Sequence, residues 1–399
     1  MKLEIKGNCH EYLAYNKGFE GRWKKSHFNK PRYLDLFYHI PMEDGTIHVI
    51  KLEDLEEPVL VFDKEMFAFT KELDGTRTLE EIIEHHRISF ADTPVDEILS
   101  AFRKLVELDL IIEGDVKTDV DIEEDYYQRQ ERQARFFSHF ETDTVNRWDY
   151  QKRIRDCKII VLGAGGTGSQ ALLFLAASGF GNISCVDFDK VEITNLNRQI
   201  IYKAEDVGKP KILQAEKRIK EFNPEINFTA YHEKIADYDR LVELLTGQDI
   251  CICCADVPPI YIRSVINKAT IQVGIPTMYG GIYADHVNIG PFVIPHKTGC
   301  FQCWNEARCQ IDPNYEHYLN HILEEEKETG TSAANVWVYG TTGAGIAMGI
   351  GGMVMDIMRY VSGYGKTVTA GRQIKINLLT LESEVLEWPR IKTCPICGE

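Results

Sequence analysis

Three groups of residues in this chain have types and spacings suited to chemistry. The first is Gly163-Ala164-Gly165-Gly166-Thr167-Gly168. Glycines at this density let backbone N–H groups approach phosphate oxygens, and a helix start beyond them adds partial positive charge. The second is a polar and cationic run with Asp187, Asp189, Asn195, Asn197, Arg198 and Gln199, followed by Lys209 and Lys211. A dehydrogenase needs one acid here for its adenosine ribose and little else. Amides and cations together suit a triphosphate, because Arg and Lys offset charge on the β and γ phosphates while the α phosphate is attacked. The pattern fits adenylation better than hydride transfer. The third group is Cys300-x-x-Cys303 with Cys394-x-x-Cys397. Two such turns supply four thiolates suited to tetrahedral zinc. The metal would tie the C-terminal segment back onto its domain. A closed four-cysteine site has no open position, so its role is structural; the alternative is four free thiols.

Particular elements must position these groups. Ile159–Leu162 is an apolar, β-branched run of strand length. A helix-like run follows the glycines to Ser178, and a second strand, Ile183–Val186, ends at Asp187. Strand, glycine turn, helix, strand and acid form a nucleotide-binding α/β unit, with the acid placed for a ribose hydroxyl. The bland alternative is a tight turn that binds nothing. Lys209-Pro210-Lys211 opens a helix predicted to reach Phe222. Ile250–Ala255 reads as another strand, with Asp256 at the carboxyl end, where ligands of doubly wound sheets collect. The alternative for Asp256 is a helix N-cap before Pro258. Cys251, Cys253 and Cys254 read as small core residues on that strand.

The chain ahead of this unit is organised differently. Leu34–Ile40, Thr46–Lys51 and Pro58–Phe62 read as strands. Helices are predicted over Lys64–Leu73, from a Thr78 cap, and over Val95–Leu108; Leu110–Ile112 closes the unit as a strand. Residues 1–115 are thus expected to form a small α+β domain, with an acidic linker over 116–131 and the main domain over 132–399. A formal charge of −16 argues against broad nucleic-acid binding. The N-terminus lacks the apolar core of a signal peptide. Without an export signal, the eleven cysteines favour thiols or metal over disulfides, and a cytoplasmic location. The apolar run Gly340–Val361 carries Asp356 and Arg359 and reads as a packed core or dimer helix, not a membrane span.

Two resemblances add to this reading. The front segment Arg32–Glu113, with Leu73-Asp-Gly-Thr-Arg-Thr-Leu-Glu-Glu-Ile-Ile83 at its middle, resembles the PqqD-like leader-peptide recognition domain, a winged-helix-like module. That resemblance implies capture of a precursor peptide's leader as an added strand. From Arg132 onward, the run Asp187–Gln199, with the glycines before it and Lys209-Pro-Lys211 after it, resembles the ThiF/MoeB/E1 adenylating enzymes. It looks closest to the microcin C-type peptide adenylyltransferases. Their shared features stand here as Arg135-Phe136-Phe137, Ala255-Asp256-Val257-Pro258 and the run Gly290–Cys303.

The second resemblance implies a doubly wound, Rossmann-like ATP-binding domain with structural zinc. Gly163, Gly165, Gly166 and Gly168 would line ATP, with Asp187 on the ribose and Asp189 beside it. Asn195, Arg198, Gln199 and Lys211 would surround the phosphates. Asp256 would hold Mg²⁺. Arg135 matches an arginine that reaches the phosphates of a neighbouring subunit, which implies a homodimer with shared sites. Arg135, Arg198, Lys211 and Asp256 are therefore the expected catalytic set. Relatives that act on ubiquitin-like or sulfur-carrier proteins usually carry a nucleophilic cysteine after the first zinc pair. Here Glu328–Asn335 has none, and Cys309 lies just past Cys303. The expected activity is therefore adenylation of a carboxylate on a ribosomally made precursor peptide. The alternatives are adenylation of a carrier-protein C-terminus, a non-catalytic leader-binding partner of a cyclodehydratase, and, weakly, an oxidoreductase.

Overall fold

A computed structural model of the chain describes residues 1–5, 27–34, 38–50, 60–108, 110–114, 123–235, 237–331 and 340–398. The chain divides into two compact units, Met1–Lys152 and Arg153–Glu399.

In the first unit, β1 (Leu3–Ile5), β5 (Leu60–Phe62), β4 (Ile47–Ile50) and β3 (Tyr38–Pro41) form an antiparallel sheet in that spatial order. A second pair joins β2 (Pro31–Tyr33) to β6 (Ile111–Glu113). Of the expected strand Leu34–Ile40, the part over residues 35–37 lies outside the described residues, as does much of the stretch before Leu60. Helices α1 (Lys64–Glu72), α2 (Leu79–Ser89) and α3 (Val95–Glu107) follow. Thr78 caps α2 in a capping box, accepting from Glu81 N–H while the Glu81 carboxylate accepts from Thr78 N–H. Ile98, Phe102 and Leu105 of α3 pack with Val49, Phe62, Met66, Phe69 and Ile82 in one apolar core. Helix α4 (Glu124–Phe137) carries Arg132 and Arg135, and α5 (Arg147–Asp156) follows it.

The second unit is built on an eight-stranded sheet. Five strands are parallel in the order β9 (Asn227–Tyr231), β8 (Asn182–Val186), β7 (Lys158–Leu162), β10 (Ile250–Cys253), β11 (Thr277–Ile282). Chain order reverses between β7 and β10, so the carboxyl ends of those two strands flank the switch point where ligands of such sheets bind. Antiparallel strands β12 (His286–Val293), β13 (Arg372–Asn377) and β14 (Ser383–Glu387) extend the sheet beyond β11. The central strands read as continuous apolar runs because both faces are covered. Residues 159–162 and 250–253 are buried throughout.

The helices of this unit are α6 (Gly166–Ala177), α7 (Lys211–Phe222), α8 (Tyr238–Leu245), α9 (Pro259–Val273), α10 (Phe301–Ile311), α11 (Tyr315–Thr329) and α12 (Gly343–Ser362). By length and composition α12 could cross a membrane, but half of it is buried against α6, β11 and β12. Its glycines permit the contact. A Cβ on Gly349 would meet Val287 Cγ2 at 2.5 Å, and one on Gly352 would meet Ile289 Cδ1 at 2.5 Å.

Candidate functional site

The glycine turn leaves β7 at the switch point. Gly163 has φ +99°, a left-handed conformation that side chains disfavour. A Cβ on Gly168 would sit 1.8 Å from Gly163 O, so hydrogen is the largest group that fits there. Gly165 differs. A Cβ there would meet nothing nearer than Gln199 Nε2 at 3.9 Å. Packing therefore does not require a glycine at 165; the space in front of it is open. Gly165 is also the N-cap of α6 and offers no side-chain cap, so the first-turn N–H groups of α6 are open to an acceptor.

The Asp187 carboxylate is built into this turn. It accepts from Ala164 N–H at 2.7 Å and from Asp189 N–H at 2.8 Å. Burial pushes its pKa up, and those hydrogen bonds and the Lys211 charge pull the other way. A carboxylate has capacity for further donors, so a ribose hydroxyl remains compatible. Tyr202 O–H donates to Ala164 O at 2.8 Å, and its burial raises its pKa far above the usual phenol range.

The cationic side is assembled from the loop after β8 and the start of α7. Lys211 is buried and its ammonium lies 3.0 Å from Asp189 Oδ2, on an exposed carboxylate. The Arg198 guanidinium donates to Thr194 O at 2.8 Å and Asn197 Oδ1 at 3.0 Å, and no carboxylate among the described residues pairs with it. Its stem passes within 3.7 Å of the position a Gly166 Cβ would take. Gln199 is buried, and its Oε1 has no donor among the described residues. A ligand hydroxyl or amine would satisfy it. Asn195 is buried too, but its Oδ1 already accepts from Glu192 N–H at 3.0 Å, which fixes the loop.

Asp256 lies two residues beyond Cys254, across the switch point. Asp256 is an exposed residue, yet burial of its carboxyl among neighbouring groups pushes its pKa upward, while Arg263, then its own backbone N–H and Lys211, pull it down. It is not the cap of α9; that position belongs to Pro258. The structure thus gathers Gly163–Gly168, Asp187, Asp189, Arg198, Gln199, Lys211 and Asp256 at the carboxyl edge of β7, β8 and β10. Arg135 belongs to the other unit. There it pairs with Glu131 one turn earlier on α4 and lines a cavity of about 440 Å³ with Arg32, Thr70 and Asp74. Sequence reasoning missed Arg263, a half-buried cation on α9 whose charge acts on Asp256. Its only signal was a cation about two helical turns after the acid.

Cys300, Cys303, Cys394 and Cys397 converge, with all four sulfurs within 4.8 Å of one another and all four residues buried. Three of the Sγ–Sγ distances are 3.9, 3.8 and 3.3 Å, far too long for disulfides. Four thiolates about 2.3 Å from one tetrahedral metal stand about 3.8 Å apart, so the donor set fits such an ion. The cluster could hold a metal. Gly299 and Gly398 permit the knuckles: a Cβ on either would lie within 2.6 Å of a backbone carbonyl. Cys309 is separate. Burial, then the carboxylates of Glu316, Glu306 and Asp312, push its thiol pKa up, the opposite of what a nucleophile needs.

The sequence model of the ThiF family matches residues 130–396. The sulfur carrier protein adenylyltransferase of Thermus thermophilus is 29% identical over 255 residues, 62% of this chain and 85% of that protein. The molybdopterin-synthase adenylyltransferase of Escherichia coli is 25% identical over 256 residues, 63% of this chain and 91% of that one. Among solved structures, E. coli MccB with ATP superposes with a TM-score of 0.69 at 21% identity, covering 92% of this chain and 99% of that one.

Proposed function

The chain belongs to the ThiF family, an ATP-dependent adenylyltransferase by that membership, and from this premise we propose that it adenylates a carboxylate of a ribosomally synthesised precursor peptide. The observation that carries the reading is the extent of the likeness to MccB. It spans 92% of the chain, which must include most of Met1–Lys152, whereas the sulfur carrier protein and molybdopterin-synthase adenylyltransferases match 62% and 63% of the chain. MccB, a microcin C7 biosynthetic enzyme, has been solved with ATP and with N-formylated MccA. In the first unit, β3 is one of the two edges of its sheet among the described residues and exposes Tyr38 and Ile40. A leader strand could pair there. Residues 1–115 would serve as the leader-binding domain, 116–131 as a linker and 132–399 as the adenylation domain.

In the reaction, a peptide carboxylate oxygen attacks the α phosphorus of ATP. The bond from that phosphorus to the bridging oxygen breaks, and its electron pair leaves with pyrophosphate. No general base is needed, because the carboxylate is ionised near neutral pH. Catalysis then rests on positioning and on cations facing the developing charge. The open backbone at Gly165 and the start of α6 would cradle the phosphates. Arg198, Lys211 and Gln199 would surround them, and Asp187 and Asp189 would take the ribose side. Asp256 would hold Mg²⁺, which neutralises phosphate charge when bound. The four clustered cysteines would hold structural Zn²⁺. Arg135 would act on the site of a second subunit, making the enzyme a homodimer, and the chain would work in the cytoplasm.

The test is ATP–pyrophosphate exchange. A cognate precursor peptide should stimulate exchange; stimulation by a Gly-Gly-ending carrier protein, and by no short peptide, would favour the second reading, to which the named sequence relatives point. For the shared site, inactive Arg135→Ala and Asp256→Ala subunits should regain part of the activity when co-assembled. No regain would place each site within one chain.

A further inference from the structure

Helix α9 begins with two prolines, and its start is capped from elsewhere. Pro258 is the N-cap and has no side-chain acceptor, and Pro259 has no N–H. Ile262 N–H donates to Pro258 O at 3.0 Å, the first bond of the helix. The first-turn donors left over are Ile260 N–H and Tyr261 N–H. Both go to a single carboxylate oxygen, Glu326 Oε2, at 2.9 and 2.8 Å. Glu326 lies on α11 and is only 1% exposed, so this is a buried carboxyl group committed to a helix start.

Asp256 stands in the turn between β10 and α9, two residues before the cap. The path of that turn into the helix sets where its side chain stands, and neither first-turn donor bonds to it. We propose that Glu326 is a positioning residue: by holding the two free donors of α9 it fixes the start of the helix, and with it the turn that presents Asp256 to a divalent cation. The idea rests on the Asp256 reading above. It assigns Glu326 a task that no local motif requires, since the two partners are more than 60 residues apart.

The experiment measures ATP affinity of the full chain by calorimetry, once with Mg²⁺ and once with EDTA, together with the melting temperature. The ratio of the two dissociation constants is the readout. Wild type should bind ATP at least tenfold more tightly with Mg²⁺. Glu326→Ala should bring the ratio close to one while leaving the EDTA value within about threefold. Glu326→Gln keeps an acceptor oxygen at the same reach and should restore most of the ratio. Glu326→Asp falls short by one methylene, should behave like the alanine variant, and serves if that variant does not fold. A lower melting temperature with an unchanged ratio in Glu326→Ala or Glu326→Asp would reduce Glu326 to a structural cap and overturn the proposal. So would a glutamine variant that loses the ratio as alanine does. Asp256→Asn separates the premise from the inference: if it keeps the full Mg²⁺ effect, the Asp256 reading itself falls.

Discussion

Substituting Gly165 by alanine tests whether the open space at the switch point belongs to a ligand. An added methyl at 165 meets only Gln199 Nε2 at 3.9 Å, and the residue's φ is −73°, within the range of any side chain. The folded protein should therefore accept Gly165→Ala with a stability change within about 0.5 kcal/mol. If phosphates press against this backbone, the methyl occupies their place. It should cost one or two hydrogen bonds from N–H groups to charged oxygens, each worth about 1.5–3 kcal/mol. Loss of one such bond, about 1.5–3 kcal/mol, corresponds to about a 10- to 140-fold rise in the dissociation constant for Mg·ATP, and loss of two to a larger one. Gly168→Ala is the contrasting case. Its Cβ would stand 1.8 Å from Gly163 O, so the turn itself must break and the protein should lose its fold. Calorimetric titration with Mg·ATP beside a thermal melt separates the two variants. A Gly165→Ala protein that melts normally and binds Mg·ATP within threefold of wild type would refute the assignment of this pocket.

Three further outcomes are expected. If the Arg198 guanidinium faces charge that develops on the phosphates, as proposed, Arg198→Gln should lower ATP–pyrophosphate exchange by about 10²- to 10³-fold with little change in melting temperature. Cys397→Ser should cut bound zinc, measured by elemental analysis, from about one equivalent to below half and lower the melting temperature by about 8–16 °C, as loss of a structural metal is worth about 4 kcal/mol or more. Asp206→Asn should report on a buried pair. Asp206 lies 3.0 Å from Arg218 and accepts from Lys203 N–H; burial opposes its charge, but these partners hold its pKa below the usual carboxylate value. A depressed folded pKa means stability that is present above the unfolded value and lost as pH falls through the folded one. Denaturant melts should show a penalty of about 3 kcal/mol at pH 7 that shrinks only below about pH 4; a penalty independent of pH would contradict this.

Much of the fold was legible because its signals are local. The run Ile159–Leu162, the glycines and Asp187 each follow from short-range sterics or from strand burial, and the elements fall within a residue or two of expectation. Thr78 announced its capping box, and the two cysteine pairs announced their convergence, because residue type and spacing carry those features. What failed to show was long-range. The strand Leu3–Ile5 exists through pairing with Phe62 and its neighbours, and nothing in three residues predicts that partner. The strand expected to reach Ala255 stops at Cys253, because pairing with β7 ends at Leu162 as the glycine turn leaves the sheet. Asn195 is expected beside the phosphates, and its side-chain oxygen also holds the loop that carries Arg198, a local contact three residues long. Glu326 had no signal at all, because a cap supplied from another helix depends on tertiary packing alone.

The central claim is that the α phosphorus of ATP is the atom attacked, and the nucleotide products reveal it most directly. With the precursor peptide as acceptor and ATP labelled at its α phosphate, the account predicts label in AMP or in an adenylated peptide, with pyrophosphate released in equal amount. Peptide-dependent formation of labelled ADP, with inorganic phosphate in place of pyrophosphate, would contradict it.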